Sequence, residues 1–81
     1  MKIAIDISMY PLNESYEQPI LSFIERLKTY EDVAVVTNKL STQVFGEYGQ
    51  VFGLLKTEME TAFSSNSKVV MVVKFINADL A

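Results

Sequence analysis

The stretch Thr37-Asn38-Lys39-Leu40-Ser41-Thr42-Gln43-Val44-Phe45-Gly46-Glu47 gathers most of the small polar groups of the chain between two apolar runs. It reads as a hairpin. Val33 to Val36 is short and β-branched, as buried strands are, Asn38-Lys39 supplies turn chemistry, and Thr42 to Phe45 resumes an extended run. Everything else in the chain can be arranged outward from this turn.

Upstream, Ile3, Ile5, Ile7 and Met9 alternate with Lys2, Ala4, Asp6, Ser8 and Tyr10, the period of a strand with one apolar face. Pro11 is expected to end that ladder by removing a donor. Asn13-Glu14-Ser15 forms a polar loop, and Ser15-Tyr16-Glu17-Gln18 has the spacing of a capping box, with Pro19 in the first turn of the helix. Ile20, Phe23, Ile24 and Leu27 make the inner stripe of that helix. Downstream of the hairpin, Val51, Phe52, Leu55, Met59, Ala62 and Phe63 recur at helical spacing, with Lys56 and Glu60 paired outside. Ser64-Ser65-Asn66-Ser67 is expected to close this second helix as a loop. Val69 to Ile76 is a strand apolar at every position except Lys74, and residues 77–81 form a short tail.

The order is therefore strand, helix, strand, strand, helix, strand, in one domain over residues 1–81. Right-handed crossovers that bury both helices on one side of one sheet give an α+β, ferredoxin-like βαββαβ sandwich with an antiparallel sheet of order 4-1-3-2. In that topology the end of the first strand meets the start of the third. Ser8 and Tyr10 come near Ser41, Thr42 and Gln43, with Thr37 and Asn38 alongside and Tyr10 or Phe45 as a wall. Hydroxyls and amides so gathered either cap strand ends and turns or form a small hydrogen-bonding pocket.

Composition limits the chemistry. The 81 residues include no Cys and no His, which removes thiolate and imidazole metal sites, disulfides and the common nucleophile–base pairs. A net charge of −3 opposes phosphate-backbone binding, and an RNA-binding platform using Tyr10 and Phe45 would lack its basic flank. No signal peptide or membrane span is evident, so a soluble cytoplasmic protein is expected. Asp6 and Lys74 are placed to pair across strands on the face away from the helices. Gly53, inside the second helix, is expected to mark close packing against the sheet. The last strand carries apolar residues on both faces and the Val33–Val36 edge is apolar too, so association with another subunit is expected, to a dimer or a tetramer.

Ile7-Ser8-Met9-Tyr10-Pro11-Leu12, Thr37-Asn38, Ser41-Thr42-Gln43-Val44-Phe45-Gly46-Glu47 and Lys74-Phe75-Ile76-Asn77 together resemble the YkoF-like family of thiamine- and hydroxymethylpyrimidine-binding proteins. The resemblance spans nearly the whole chain in matching order. It implies a ferredoxin-like unit that binds the pyrimidine moiety of thiamine without catalysis and without a cofactor, as one repeat that self-associates. Tyr10 with Pro11, Thr37, Asn38, Ser41 and Thr42 match the motif. The expected ligand set is thus Ser8, Tyr10, Thr37, Asn38, Ser41, Thr42, Gln43 and Phe45. An alternative is an interaction or regulatory module whose open sheet face meets a partner protein.

Overall fold

A computed structural model describes residues 1–66 and 68–81. The elements follow the order β1 (Lys2–Pro11), α1 (Glu17–Leu27), β2 (Ala34–Thr37), β3 (Thr42–Glu47), α2 (Tyr48–Ser65) and β4 (Val69–Ile76). The four strands form one antiparallel sheet, β2-β3-β1-β4, which is the ferredoxin-like order. Both helices lie on one face. Ile3, Ile5 and Ile7 of β1 and Val44 of β3 point into the layer beneath them, where Phe23 and Leu27 of α1 meet Val51, Leu54, Leu55 and Ala62 of α2.

The alternation in β1 is the physical source of this layering, since only one parity of the strand can face the helices. Register carries the parity across the sheet: Ile5 stands opposite Val44 and Ile7 opposite Thr42, so Thr42 turns inward while Gln43 and Phe45 turn to the open face. In β4 the same rule puts Met71 and Val73 inward and leaves Val70, Val72 and Lys74 outside.

Several local readings are corrected. Pro11 does not end β1, because it still pairs with Val69, and Leu12 N donates to Lys68 O at 2.9 Å beyond it. The β3 ladder stops at Ile7, so Pro11 has a strand neighbour on one side only, where its missing donor is harmless. The capping box does not form: Tyr16 is the N-cap without a side-chain bond, and Gln18 Nε2 donates to Ser22 Oγ at 3.1 Å instead. Ser64 and Ser65 belong to α2, and Ser67 lies outside the described residues.

Glycine roles are exchanged. A Cβ on Gly53 would meet nothing within 4 Å, so no close packing requires it; on Gly46 a Cβ would stand 2.8 Å from Val33 Cγ1, and the glycine is there to let Val33 and α2 come down on β3. In α2 the buried stripe is Val51, Leu54, Leu55, Glu58 and Ala62, with Phe52 and Phe63 at its exposed margins. Phe52 is instead stacked on Phe75, with centroids 5.2 Å apart. Lys56 and Glu60 share the outer face of α2 without closing an ion pair; among the described residues the side-chain pair is Arg26–Glu58 at 2.6 Å. No described helix is long and apolar enough to cross a membrane.

Candidate functional site

β1 is longer than β3, and that difference makes the site. From Ser8 to Pro11 the strand is paired with β4 alone, which leaves the edge that faces β3 without a strand neighbour. Over this bare edge the β2–β3 hairpin forms one wall and the start of α1 the other. The space between them is a cavity of about 480 Å³ lined by Ile7 to Leu12, by Tyr16, Ile20, Phe23 and Ile24 of the α1 segment, and by Thr37 to Thr42 of the hairpin.

The hairpin wall is held by its own polar groups. Asn38 N donates to Ser41 O at 3.0 Å, while Asn38 Oδ1 accepts from Leu40 N at 2.9 Å and from Ser41 N at 3.0 Å. This is the Asx turn that asparagine favours at a chain reversal. The Asn38 carbonyl is thereby committed to the backbone, and its amide nitrogen is 3.5 Å from Gln43 Oε1. Just inside the turn, Thr37 Oγ1 and Thr42 Oγ1 lie 2.8 Å apart. Thr42 is 5% exposed and Thr37 is open to solvent, so the pair runs from the core to the surface. Two hydroxyls sharing one hydrogen leave the other hydrogen and spare lone pairs, which is a donor and acceptor capacity for a ligand.

Six of the eight residues picked from the sequence, Ser8, Tyr10, Thr37, Asn38, Ser41 and Thr42, border this cavity. Ser8 and Tyr10 point nominally to the other side of the sheet, but a bare edge is reachable from both faces. Gln43 and Phe45 do not border it. They lie on the open face with Ala4, Asp6, Lys74, Ile76 and Leu80, around a smaller cleft of about 270 Å³.

Asp6 belongs to that second group. It stands opposite Gln43 on one side and Lys74 on the other, and Gln43 Nε2 donates to Asp6 Oδ1 at 2.6 Å and to Ser41 Oγ at 2.8 Å. The Ser41 hydroxyl first, then the Gln43 amide, hold the Asp6 carboxyl below the usual carboxylate range, with a smaller contribution from the Lys74 charge. The expected Asp6–Lys74 pairing is thus a register neighbourhood, and neutral hydrogen-bond donors do most to favour the anion.

Sequence reasoning missed the α1 side of the cavity: Tyr16, Ile20 and Ile24. In the sequence Ile20 and Ile24 belong to the same apolar stripe as Phe23 and Leu27, and only the structure leaves the first two half-buried while the other two are buried. Ile20, Phe23 and Ile24 together give the cavity its apolar wall on the α1 side.

Residues 2–78 match the model of the YKOF-related family. Among solved structures, a Streptococcus pneumoniae protein is 27% identical, with a TM-score of 0.90 over 99% of this chain and 90% of that one. A candidate thiamine biosynthesis/salvage protein from Thermotoga maritima is 16% identical, with a TM-score of 0.86 over 96% of this chain and 85% of that one. A hypothetical protein from Methanocaldococcus jannascii is 23% identical, with a TM-score of 0.82 over 99% and 84%. No curated protein sequence matches the chain.

Proposed function

This chain belongs to the YKOF-related family, and from that premise we propose that it binds thiamine or its hydroxymethylpyrimidine moiety, without catalysis, in the cavity between the hairpin and α1. The observation that carries the proposal is the Thr37–Thr42 hydroxyl pair beside the unpaired edge of β1. A planar aminopyrimidine presents donors and acceptors in one plane, which two hydroxyls and a strand edge can match, while Tyr10, Tyr16, Ile20 and Ile24 supply apolar and aromatic surface for its faces. The thiamine connection of the Thermotoga maritima protein supports the same ligand class. A binding role without chemistry is supported by the residue types on hand: the chain has no Cys or His, and hydroxyls, amides and one lysine are the polar groups of the cavity wall.

Isothermal titration of the full chain with thiamine and with hydroxymethylpyrimidine tests the proposal. Saturable heat with one of them, accompanied by a rise in the unfolding temperature, is the expected result. Absence of heat and of thermal shift at millimolar concentration of either overturns it.

A second reading concerns the open face, where Val70, Val72 and Ile76 are each about half exposed on one strand. Apolar residues in a row on a sheet face are covered at modest cost by another copy of the same surface, and the unit is then a homodimer, or a tetramer built from dimers. The two readings meet at one place, because Ser8 and Tyr10, which border the cavity, stand opposite Val72 and Val70 of this face.

A further inference from the structure

We infer that Asp6, a positioning residue outside the cavity, fixes the hydrogen-bonding sense of the cavity wall, so that the site takes the donor–acceptor edge of a 4-aminopyrimidine and rejects the reversed edge of a 4-oxopyrimidine; the inference rests on the cavity being the pyrimidine site. Its ground is one connected set of side chains that runs from the open face of the sheet to the tip of the hairpin.

An ionised carboxylate has no hydrogen to give, so each polar neighbour must turn a donor toward it. The Ser41 hydroxyl donates to the Asp6 carboxyl, and Gln43 Nε2 donates to its Oδ1 at 2.6 Å; together they hold the acid below the usual carboxylate range. Lys74, the register neighbour of Asp6 on β4, pushes more weakly in the same direction. The group is therefore an anion at neutral pH, and the set cannot reverse its sense. The second hydrogen of Gln43 Nε2 goes to Ser41 Oγ at 2.8 Å. Ser41 has then spent its hydrogen and one lone pair, and what it keeps is one lone pair, an acceptor.

Asn38 is set in the opposite sense. Its Oδ1 accepts from Leu40 N at 2.9 Å and from Ser41 N at 3.0 Å, so the backbone of the turn decides which end of the amide faces inward to the loop. Its Nδ2 lies 3.5 Å from Gln43 Oε1, the end of that amide left over once Nε2 faces Asp6, and it keeps a second hydrogen. Ser41 and Asn38 both border the cavity. The wall thus offers an acceptor from Ser41 beside a donor from Asn38. A 4-aminopyrimidine presents an amino donor next to a ring-nitrogen acceptor, in thiamine and in hydroxymethylpyrimidine alike, and the two patterns are complementary. An oxo group in place of the amino group reverses both, because the oxygen accepts and the adjacent ring nitrogen carries the hydrogen. The Thr37–Thr42 pair cannot make this distinction, since either hydroxyl can be the donor.

The test is titration of the full chain with hydroxymethylpyrimidine and with its 4-oxo counterpart, in parent, Asp6→Asn and Ser41→Ala proteins, beside thermal unfolding of each. The parent should prefer the amino compound by about tenfold or more, since the reversed edge sets donor against donor and acceptor against acceptor. Asp6→Asn keeps the shape but puts a donor where the carboxylate had only acceptors, so the Ser41 hydroxyl or the Gln43 amide must turn. The amino-to-oxo ratio should fall severalfold in this variant and in Ser41→Ala, which removes the acceptor itself. Equal binding of the two compounds by the parent overturns the inference and leaves the pyrimidine site standing. So does Asp6→Asn that weakens both compounds by the same factor, because the carboxylate would then only hold the hairpin in place. Should Asp6→Asn not fold, the ratio in Ser41→Ala decides, and an unchanged ratio there overturns the inference. If neither pyrimidine nor thiamine binds the parent, the pyrimidine reading falls and this inference with it.

Discussion

At the scale of single residues, Thr42 joins the core to the candidate site. It is buried opposite Ile7 in the register while its hydroxyl meets that of Thr37 at 2.8 Å. Thr42→Val keeps the shape and removes the hydroxyl. The Thr37 hydroxyl is at the surface and can turn to water, so folding stability should change by less than about 1 kcal/mol. A ligand group that used Thr42 would be left unpaired at about 1–3 kcal/mol, roughly tenfold to a hundredfold in affinity. Titration calorimetry beside thermal unfolding separates the two effects. Unchanged pyrimidine affinity removes Thr42 from the site, and a large loss of unfolding temperature makes its role structural.

Tyr30 gives a residue-scale test in pH. Its hydroxyl donates to Glu58 Oε2 at 2.6 Å, and Arg26 Nε donates to Glu58 Oε1 at 2.6 Å, so one carboxylate in the buried stripe of α2 ties down the end of α1. The hydrogen bond to Glu58 first, then burial and the Glu58 charge, raise the Tyr30 phenol above its ordinary value. A raised folded value means that the unfolded chain gives up this proton first as pH rises. The contribution is therefore complete below the ordinary phenol value of about 10 and drains away as pH rises through the higher folded value. Parent protein should be more stable than Tyr30→Phe at about pH 8, and the gap should narrow toward about pH 11 when denaturation midpoints are compared. A gap that does not move with pH would detach the phenol proton from folding.

At the scale of elements, the two glycines separate packing from propensity. Gly46→Ala puts a methyl 2.8 Å from Val33 Cγ1 and 3.4 Å from Val51 Cγ2, both bound into the layer under α2. Overpacking of this kind costs about 1–3 kcal/mol, and Val33→Ala in the same chain should return part of it. Gly53→Ala enters open space on a helix and should stabilise by up to about 1 kcal/mol. Chemical denaturation of the three variants measures all of this. A neutral Gly46→Ala would mean that Val33 yields freely, and a destabilising Gly53→Ala would mean that α2 is packed more tightly on its outer side than the structure has it.

For the whole molecule, the open face of the sheet is the largest unsolved burial. Val70, Val72 and Ile76 stay about half exposed even though residues 77–81 bring Leu80 to the cleft beside them. An 81-residue chain buries only about 60–65% of its unfolded surface, so a second sheet across this face would add substantially to its stability. Light scattering should find a dimer or a tetramer, and Val72→Glu should shift it to monomer. A parent that is monodisperse as a monomer, or a Val72→Glu protein of unchanged size, removes this face as the contact.

The sequence by itself determined the element order, the inward parity of β1, the amphipathic stripe of α1 and the antiparallel 4-1-3-2 sheet, because periods of 2 and 3.6 are local and crossover handedness leaves few ways to join such elements. It also brought Ser8, Tyr10, Thr37, Asn38, Ser41 and Thr42 to one end of the sheet. Only the tertiary structure decided that Gln43 and Phe45 turn away from them, since a shift of one residue in register exchanges the two faces of a strand. The same holds for Glu58, a polar position in an apolar stripe that becomes acceptable once Arg26 of α1 and Tyr30, beyond the end of that helix, arrive. It holds for Pro11, whose tolerance depends on β3 stopping at Thr42, and for Gly46, whose need for hydrogen in place of a methyl is set by Val33 descending from the bend that precedes β2. The cavity itself is of this kind: it exists because β1 outruns β3, and a difference in length between two strands far apart in the chain has no local signature.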